Sequence, residues 1–220
     1  ATVLGEFNDS GKIHLLYNEK TAAYLDIDFL HGGCPRMKLK AKWTPPEWTE
    51  PAKDILNKRN IKDGLLEMLS TLNICSNEYK ARQYDHEVKG LSVVKPFIGV
   101  NSDVSNDAGV FMAKPLAREG IVLASALLPG YSSIDTYHMM AASIDLAVRR
   151  TIAAGADFGH IAGLDNFCWP DPVKSDKTPD GEYKLAQLVR ANQALYDYTK
   201  AFKVPCISGK DSMKNDSTRG

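Results

Sequence analysis

The chain has 220 residues, of which 44% are hydrophobic and 25% are charged; this composition is typical of one sizeable globular domain, alone or with an appendage. Its 27 Lys and Arg residues balance its 27 Asp and Glu residues, so charge predicts neither nucleic acid nor an anionic membrane as a partner. No apolar stretch reaches the roughly 20 residues of a membrane span, and the first residues do not match a secretory signal. We therefore expect a cytoplasmic protein.

The cysteines support the same expectation. Cys34, Cys75, Cys168 and Cys206 lie far apart, and the sequence contains no CxxC pair. Zinc sites built from cysteine use such closely spaced ligands. We predict reduced thiols, with a disulfide pair as the less favoured alternative.

Residues 1–42 predict two strands, at residues 12–17 and 22–30, joined by a turn at residues 18–21. Two strands alone are only marginally stable, so we expect this segment to be the tail of a preceding domain in a longer polypeptide. Residues 43–51 include Pro45, Pro46 and Pro51 and predict a linker. The second domain would then cover residues 52–220.

The second domain mixes helical and strand patterns. Helices are predicted from Pro51 with Thr49 as cap, after a capping Asp63, and from Ser76 onward. Gly155 is expected to end a long helix. The predicted strands cover residues 92–100, 108–113, 120–128, 160–164 and 204–207, and the predicted long helices cover residues 134–154 and 183–202. This order predicts an α/β (α+β) fold, a mixed sheet packed by helices and preceded by a two-stranded appendage.

Polar residues are predicted at the ends of three strands. They are Asn106-Asp107, Asp165-Asn166 and the segment Gly209-Lys210-Asp211-Ser212. Ligand-binding residues of α/β proteins collect at such strand ends, and we hypothesise that the three sites face one pocket. The last segment offers backbone N–H groups, a hydroxyl and an ammonium, which suit a phosphate, although it is not a Walker A loop. An ordinary strand-to-loop turn is the alternative.

Four motifs then indicate a family. They are RQYDHEV at residues 82–88, VVKP at 93–96, LDNFCW at 164–169 and ISGKDSM at 207–213. In this order and spacing they resemble the phosphoribosylformylglycinamidine synthase family of purine biosynthesis, and the resemblance covers nearly the whole chain. It implies that residues 1–42 are the tail of the first half of the synthetase subunit. Residues 52–220 would be the nucleotide-binding-type subdomain of the second half, similar to the N-terminal domain of aminoimidazole ribonucleotide synthetase.

The resemblance also implies an activity. In the family, ATP phosphorylates the amide oxygen of the glycinamide group of formylglycinamide ribonucleotide, and ammonia that a glutaminase module releases from glutamine displaces the phosphate. ATP and Mg²⁺ would be the cofactors, and the remainder of the synthetase and the glutaminase module the protein partners. The family's catalytic histidine, its ATP-binding lysine and its glycine-rich loop belong to the first half. We therefore expect a ligase fragment that has no catalytic residue and is inactive alone.

Site residues follow from the aligned motifs. The resemblance assigns ATP contacts to four residues, Asn106, Asp107, Asp165 and Gly209, and it makes Asp107 the Mg²⁺ ligand as well. Ser212 would bind the ribonucleotide substrate through its phosphate. Lys210 stands where one branch of the family has a metal-binding asparagine; because a cation cannot ligate Mg²⁺, we expect Lys210 to neutralise phosphate instead.

One departure from the family pattern leaves an alternative open. Leu146 and Arg150 stand where the family's long helix has a glutamate and an asparagine that bind metal. Either the nucleotide site is degenerate, with Arg150 in place of a cation, or the alignment shifts by one turn and involves Asp145; we favour degeneracy. The alternative function is then a non-catalytic structural or assembly module. A different synthetase of the superfamily is less favoured, because its glycine-rich substrate loops are missing from the sequence.

The family pairs its two homologous halves through a central barrel. A second-half subdomain alone would expose the sheet face that its partner covers. The resemblance therefore also predicts a homodimer that imitates this pairing.

Overall fold

A computed structural model of the chain describes residues 1–47, 49–50, 60–83 and 87–217. The chain divides into two units, Ala1–Lys40 and Ala41–Gly220. The finer division into residues 1–42, 43–51 and 52–220 stays a prediction. The helix predicted from Pro51, part of the predicted linker and His86 fall outside the described residues.

The first unit is a hairpin followed by a short helix. Strands β1 (Lys12–Tyr17) and β2 (Lys20–Asp26) pair antiparallel. The two residues between them, Asn18 and Glu19, have φ of 48° and 63°, which is the backbone of a two-residue hairpin turn. Helix α1 (Ile27–Gly32) begins directly after Asp26. The prediction of a strand as far as residue 30 was therefore wrong, because the extended Asp26 precedes a helical turn that carries the acidic Asp28, which favours a helix start.

The first two helices described in the second unit are α2 (Ile61–Ser70) and α3 (Glu78–Ala81). The cap of α2 is Asn60, whose side chain accepts from Lys62 N at 3.0 Å. Asp63 lies instead in the first turn, where a carboxylate interacts favourably with the helix dipole. The predicted cap was therefore three residues late.

Short strands follow in place of the longer ones predicted. Strand β3 (Ser92–Val94) pairs with β6 (Ala108–Met112), which also pairs with β7 (Gly120–Ala124), all antiparallel. A separate pair consists of β4 (Phe97–Ile98) and β5 (Val104–Ser105). The predicted strand at residues 92–100 is divided at Pro96, which has no N–H to donate to a ladder. The mixed α/β class is confirmed, with small separate sheets rather than one mixed sheet.

The core lies where two long helices meet the last strand pair. Helix α4 (Thr136–Ala153) packs against α5 (Gly181–Phe202). Strands β8 (Gly163–Cys168) and β9 (Cys206–Ser212) are parallel, and α5 forms the crossover between them. The buried cluster consists of Phe167, Trp169 and Ala191, with five half-buried apolar side chains around it: Met139, Met140, Leu188, Leu195 and Met213.

Strands β8 and β9 run further than their apolar residues predict. In the parallel ladder Asp165 lies opposite Gly209, and Asn166 lies opposite Lys210. Ser212 ends the ladder opposite Cys168. The predicted strand ends at residues 164 and 207 were therefore too early, because backbone pairing along the whole of β8 and β9 keeps the polar residues extended.

A charged pair joins the two long helices. Asp135 caps α4 by accepting from Tyr137 N at 3.1 Å, and the guanidinium of Arg190 on α5 donates to both Asp135 oxygens at 2.9 and 2.7 Å. The hydrogen bond from Arg190 lowers the pKa of Asp135 from its ordinary value. Arg190 also lies over the ring of Trp43, 4.4 Å from its centroid. Trp43 in turn stacks on Tyr183, so the start of the second unit is fixed to α5.

The helix interface gives a test of the fold. Ala191 is fully buried (0% exposed) between the packed elements, whereas Ala201 on the same helix is exposed. We expect Ala191→Leu to lower the free energy of unfolding by about 1–3 kcal/mol, because a close-packed interface must move to admit the larger side chain. Leucine is a good helix former, so Ala201→Leu is the matched control and should change stability by less than about 0.5 kcal/mol. Chemical denaturation monitored by circular dichroism measures both; equal effects would contradict this packing.

Candidate functional site

A cleft of about 300 Å³ lies beside the three-stranded sheet. Its walls include the apolar side chains of Val94, Phe111 and Leu123. Asn106 and Asp107, from the turn before β6, line the same cleft. Mostly apolar walls with a few convergent polar groups are typical of small-molecule sites, and the volume lies at the lower end of their range.

Asn106 holds the turn that forms the polar side of the cleft. Its backbone N–H donates to the carbonyl of Pro96 at 2.9 Å. Its side-chain nitrogen lies 3.5 Å from the carbonyl oxygen of Lys95 and also donates to the carbonyl of Ala108. The side-chain nitrogen of Asn106 thus already donates to backbone carbonyls of the turn, and a contact from Asn106 to a ligand would have to use the side-chain oxygen.

Asp107 forms an ion pair with a residue that arrives from α4. Its Oδ1 lies 3.1 Å from Nη2 of Arg150, and the Arg150 Nη1 donates to the carbonyl of Ser125 at 2.7 Å. Ser125 follows β7 and lines the cleft as well. Asp145, which a one-turn shift of the alignment would involve, instead pairs with Arg149 at 2.7 Å.

These surroundings do not fit a resident Mg²⁺ ion. Magnesium requires several oxygen ligands in near-octahedral geometry. Within the described ranges no group of three His, Cys, Asp or Glu side chains is placed to hold a metal. The carboxylate of Asp107 already faces a guanidinium, so the predicted metal role of Asp107 finds no support in its contacts.

A second group of predicted residues lies on β8 and β9. An ideal Cβ placed on Gly209 would be 2.8 Å from Oδ1 of Asp165, so the carboxylate lies directly over the glycine backbone. Burial, and next the charge of Asp165, raise the pKa of the nearby Cys206 thiol. A carboxylate in this position can accept a hydrogen bond from a hydroxyl or amino group of a ligand.

Ser212 lies at the end of the parallel pair and is held by a neighbour that the sequence analysis missed. The side-chain nitrogen of Asn215 donates to the carbonyl of Ser212 at 2.5 Å and to that of Trp169 at 3.3 Å. The Ser212 Oγ also lies 3.4 Å from the Asn215 Oδ1. The only sequence signal was local, since an asparagine a few residues from a strand end commonly bonds nearby backbone.

Lys210 precedes Ser212 by two residues on β9, so the two side chains leave the same face of the strand. An ammonium and a hydroxyl on one face are suited to a phosphate group. Among the residues that the structure describes, no hydrogen bond, ion pair or strand pairing joins Lys210 and Ser212 with Asn106 and Asp107. The prediction that all of them face one pocket stays a prediction.

The sequence of this chain is similar to part of several known proteins. No family model matches the sequence. The phosphoribosylformylglycinamidine synthase subunit PurL of Thermoplasma volcanium is 26% identical over 222 residues, which cover 98% of this chain and 27% of that protein. The PurL subunit of Methanosarcina barkeri is 28% identical over 220 residues, which cover 98% of this chain and 27% of that protein. The chain thus spans about a quarter of the length of these relatives.

Solved structures agree with the sequence relatives. PurL of Thermotoga maritima complexed with ADP superposes with a TM-score of 0.60 at 20% identity, covering 95% of this chain and 29% of that one. The PurLQS structure from the same organism gives a TM-score of 0.56, and the match covers 96% of this chain and 30% of that one. At this identity the likeness shows a shared fold.

By its fold the chain is a mixed α/β protein in which helices pack on small sheets, as in the solved PurL chains. Nearly the whole chain is similar to one segment of the PurL subunit of phosphoribosylformylglycinamidine synthase. The comparisons therefore confirm the resemblance that the four motifs predicted.

The contact between Asp165 and Gly209 can be tested by a double-mutant cycle. In a helix or strand, alanine in place of glycine normally gains about 0.5–1 kcal/mol. Gly130→Ala, on the short helix at residues 129–133, is the unhindered control, because its added Cβ would meet nothing within 4 Å. We expect Gly209→Ala instead to lower the free energy of unfolding by about 1–3 kcal/mol, because the methyl group meets the Asp165 carboxylate. Asp165→Ala should remove most of this loss, with a coupling of about 0.5–3 kcal/mol. Additive effects would contradict the contact.

Proposed function

We propose that this chain contributes nucleotide- and substrate-binding residues to a cytoplasmic phosphoribosylformylglycinamidine synthase, and that it is inactive alone. The observation that carries the proposal is similarity over 97–98% of the chain to a segment of subunits named for this enzyme. The structural neighbours include PurL chains complexed with ADP and with FGAR, which is formylglycinamide ribonucleotide. We transfer both kinds of ligand to this chain as part of the proposal.

The strand pair β8–β9 would bind ligand in two ways. Asp165 would accept a hydrogen bond from the nucleotide, and the bare backbone of Gly209 would allow close approach. Ser212 and Lys210 would hold the phosphate of formylglycinamide ribonucleotide with a hydroxyl donor and a positive charge. Asn215 would position Ser212 through the hydrogen bond to its carbonyl.

The reaction proposed for the complete enzyme forms a carbon–nitrogen bond. The glycinamide oxygen of the ribonucleotide takes the γ-phosphoryl group of ATP, and ammonia then attacks the carbon that carries this oxygen and expels phosphate, which leaves the formyl group intact. The ammonia source would be a glutaminase module, and the rest of the synthetase would supply the catalytic groups. The Mg²⁺ used in this reaction would enter with ATP and would not be held by Asp107, whose carboxylate is already paired.

A structural or assembly module with a degenerate nucleotide site is the second candidate. One observation favours it, the pairing of Asp107 with Arg150 where a metal ligand was predicted. The relatives favour the enzyme, because the subunits that this chain matches are named for the synthase.

Substrate binding tests the proposal directly. Ser212→Ala should weaken binding of formylglycinamide ribonucleotide about tenfold or more, since a hydrogen bond to a charged phosphate is lost. Isothermal titration calorimetry measures the affinity, and Ser132→Ala, on a short helix at residues 129–133, is the control that should not change it.

The same preparation, mixed with ATP, Mg²⁺, ammonia and the ribonucleotide, should give no amidine. Turnover would contradict the claim that the chain is inactive alone. Absence of binding of both ADP and the ribonucleotide would contradict the proposed function and favour the structural module.

We also propose that the chain self-associates through its sheets. Several apolar strand residues are exposed: Ile121 by 57%, Leu123 by 61%, Leu164 by 66% and Ile207 by 74%. Apolar area of this kind on a protein surface favours association.

Light scattering at tens of micromolar, a range in which dimers of ordinary strength are populated, should give twice the 24.2 kDa chain mass. The double variant Ile121→Lys with Leu123→Lys should be monomeric. Val189→Lys, which replaces an exposed apolar residue of α5, should leave the mass unchanged. A monomeric parent chain at this concentration would contradict the proposal.

A further inference from the structure

Arg150 joins three elements beside the cleft. It lies in the last turn of α4, where a positive charge interacts favourably with the helix dipole. Its guanidinium contacts Asp107, from the turn before β6, and Ser125, which follows β7. Both partners line the cleft, so a fixed positive charge contacts two residues of the cleft wall.

The guanidinium has bonding capacity beyond these two contacts. It carries five N–H donors, and the pairings with Asp107 and Ser125 use Nη2 and Nη1. Nε is buried and has no hydrogen-bond partner among the residues described. The side chain as a whole is 28% exposed, so it is accessible from solvent although it is held in place.

A guanidinium in this position can do what a divalent ion does between a carboxylate and a phosphate. It is charged at all physiological pH values and donates to carboxylate and phosphate oxygens in a fixed planar geometry. It is also permanent, whereas Mg²⁺ at a nucleotide is usually held by one or two carboxylates with phosphates and water, and the carboxylate of Asp107 is already paired with this guanidinium.

We propose that Arg150 supplies, from within the chain, the positive charge that links Asp107 to the phosphates of a nucleotide in this cleft. The inference rests on the proposed function, since it takes the cleft as a nucleotide site. It adds that nucleotide binding at this site does not depend on a divalent metal ion.

ADP titration with and without metal tests the proposal. The intact chain should bind ADP in excess EDTA and in Mg²⁺ with affinities that agree within about threefold. Arg150→Met, which keeps an unbranched apolar side chain but removes the charge, should weaken binding in EDTA by about tenfold or more. Arg150→Lys should retain more of the affinity than Arg150→Met. Arg149→Met is the matched control, because Arg149 is exposed and pairs with Asp145, and this variant should bind like the parent.

Each outcome decides the proposal. Binding that requires Mg²⁺ in the parent chain would overturn the inference while the nucleotide site itself survived. A folded Arg150→Met, checked by circular dichroism, that binds ADP in EDTA like the parent would show that Arg150 only fastens α4 to the sheet. No binding of ADP under either condition would contradict the proposed nucleotide site and the inference with it. The comparison of EDTA with Mg²⁺ in the parent needs no variant, so misfolding of Arg150→Met does not remove the test.

Discussion

The contact between α4 and α5 is the constraint on which both groups of site residues depend. Ala191 has no exposed surface in this contact, so the helices approach closely, and the fork from Arg190 to Asp135 fixes them near the start of α4. From this position α4 delivers Arg150 to Asp107 at its other end. The same core holds Phe167 and Trp169 of the β8 segment, which sets where Asp165 and Ser212 lie. A change in the helix contact would therefore disturb both groups.

The parallel pair β8–β9 shows how pairing overrides local preference. Ser208, Gly209 and Asp211 have low strand propensity, and alone they favour a turn. In the fold each finds a partner across the ladder, because α5 returns the chain beside β8. Glycine weakens a strand, but at position 209 it leaves space for the carboxylate of Asp165. Gly209 lowers the stability of the strand, but it is also the residue that allows the Asp165 carboxylate to lie against β9.

The sequence predicts the long helices well and the site contacts poorly, for a physical reason. Helices α4 and α5 follow from a 3.6-residue apolar period that is local in the chain. The extension of β8 depends on a strand that the chain reaches only after α5, and the bond from Asn215 to Trp169 joins residues 46 apart. The resemblance to the family assigned roles to five candidates, Asn106, Asp107, Asp165, Gly209 and Ser212, but no local pattern indicates which of them touch. Arg150 stood out in sequence as a departure from the family pattern, and its partner became visible only in the fold.

Arg150 combines a structural contact with an electrostatic one, and the two place different demands on the residue. Fastening α4 to the carbonyl of Ser125 needs only a donor, which lysine also has. Holding Asp107 at the same time needs a planar group with donors in two directions, which favours arginine. Because the charge is fixed by these two bonds, a bound phosphate would meet a preorganised cation and would not have to recruit one. Such preorganisation lowers the entropy cost of binding, and it makes the α4–α5 contact part of the electrostatics of the cleft.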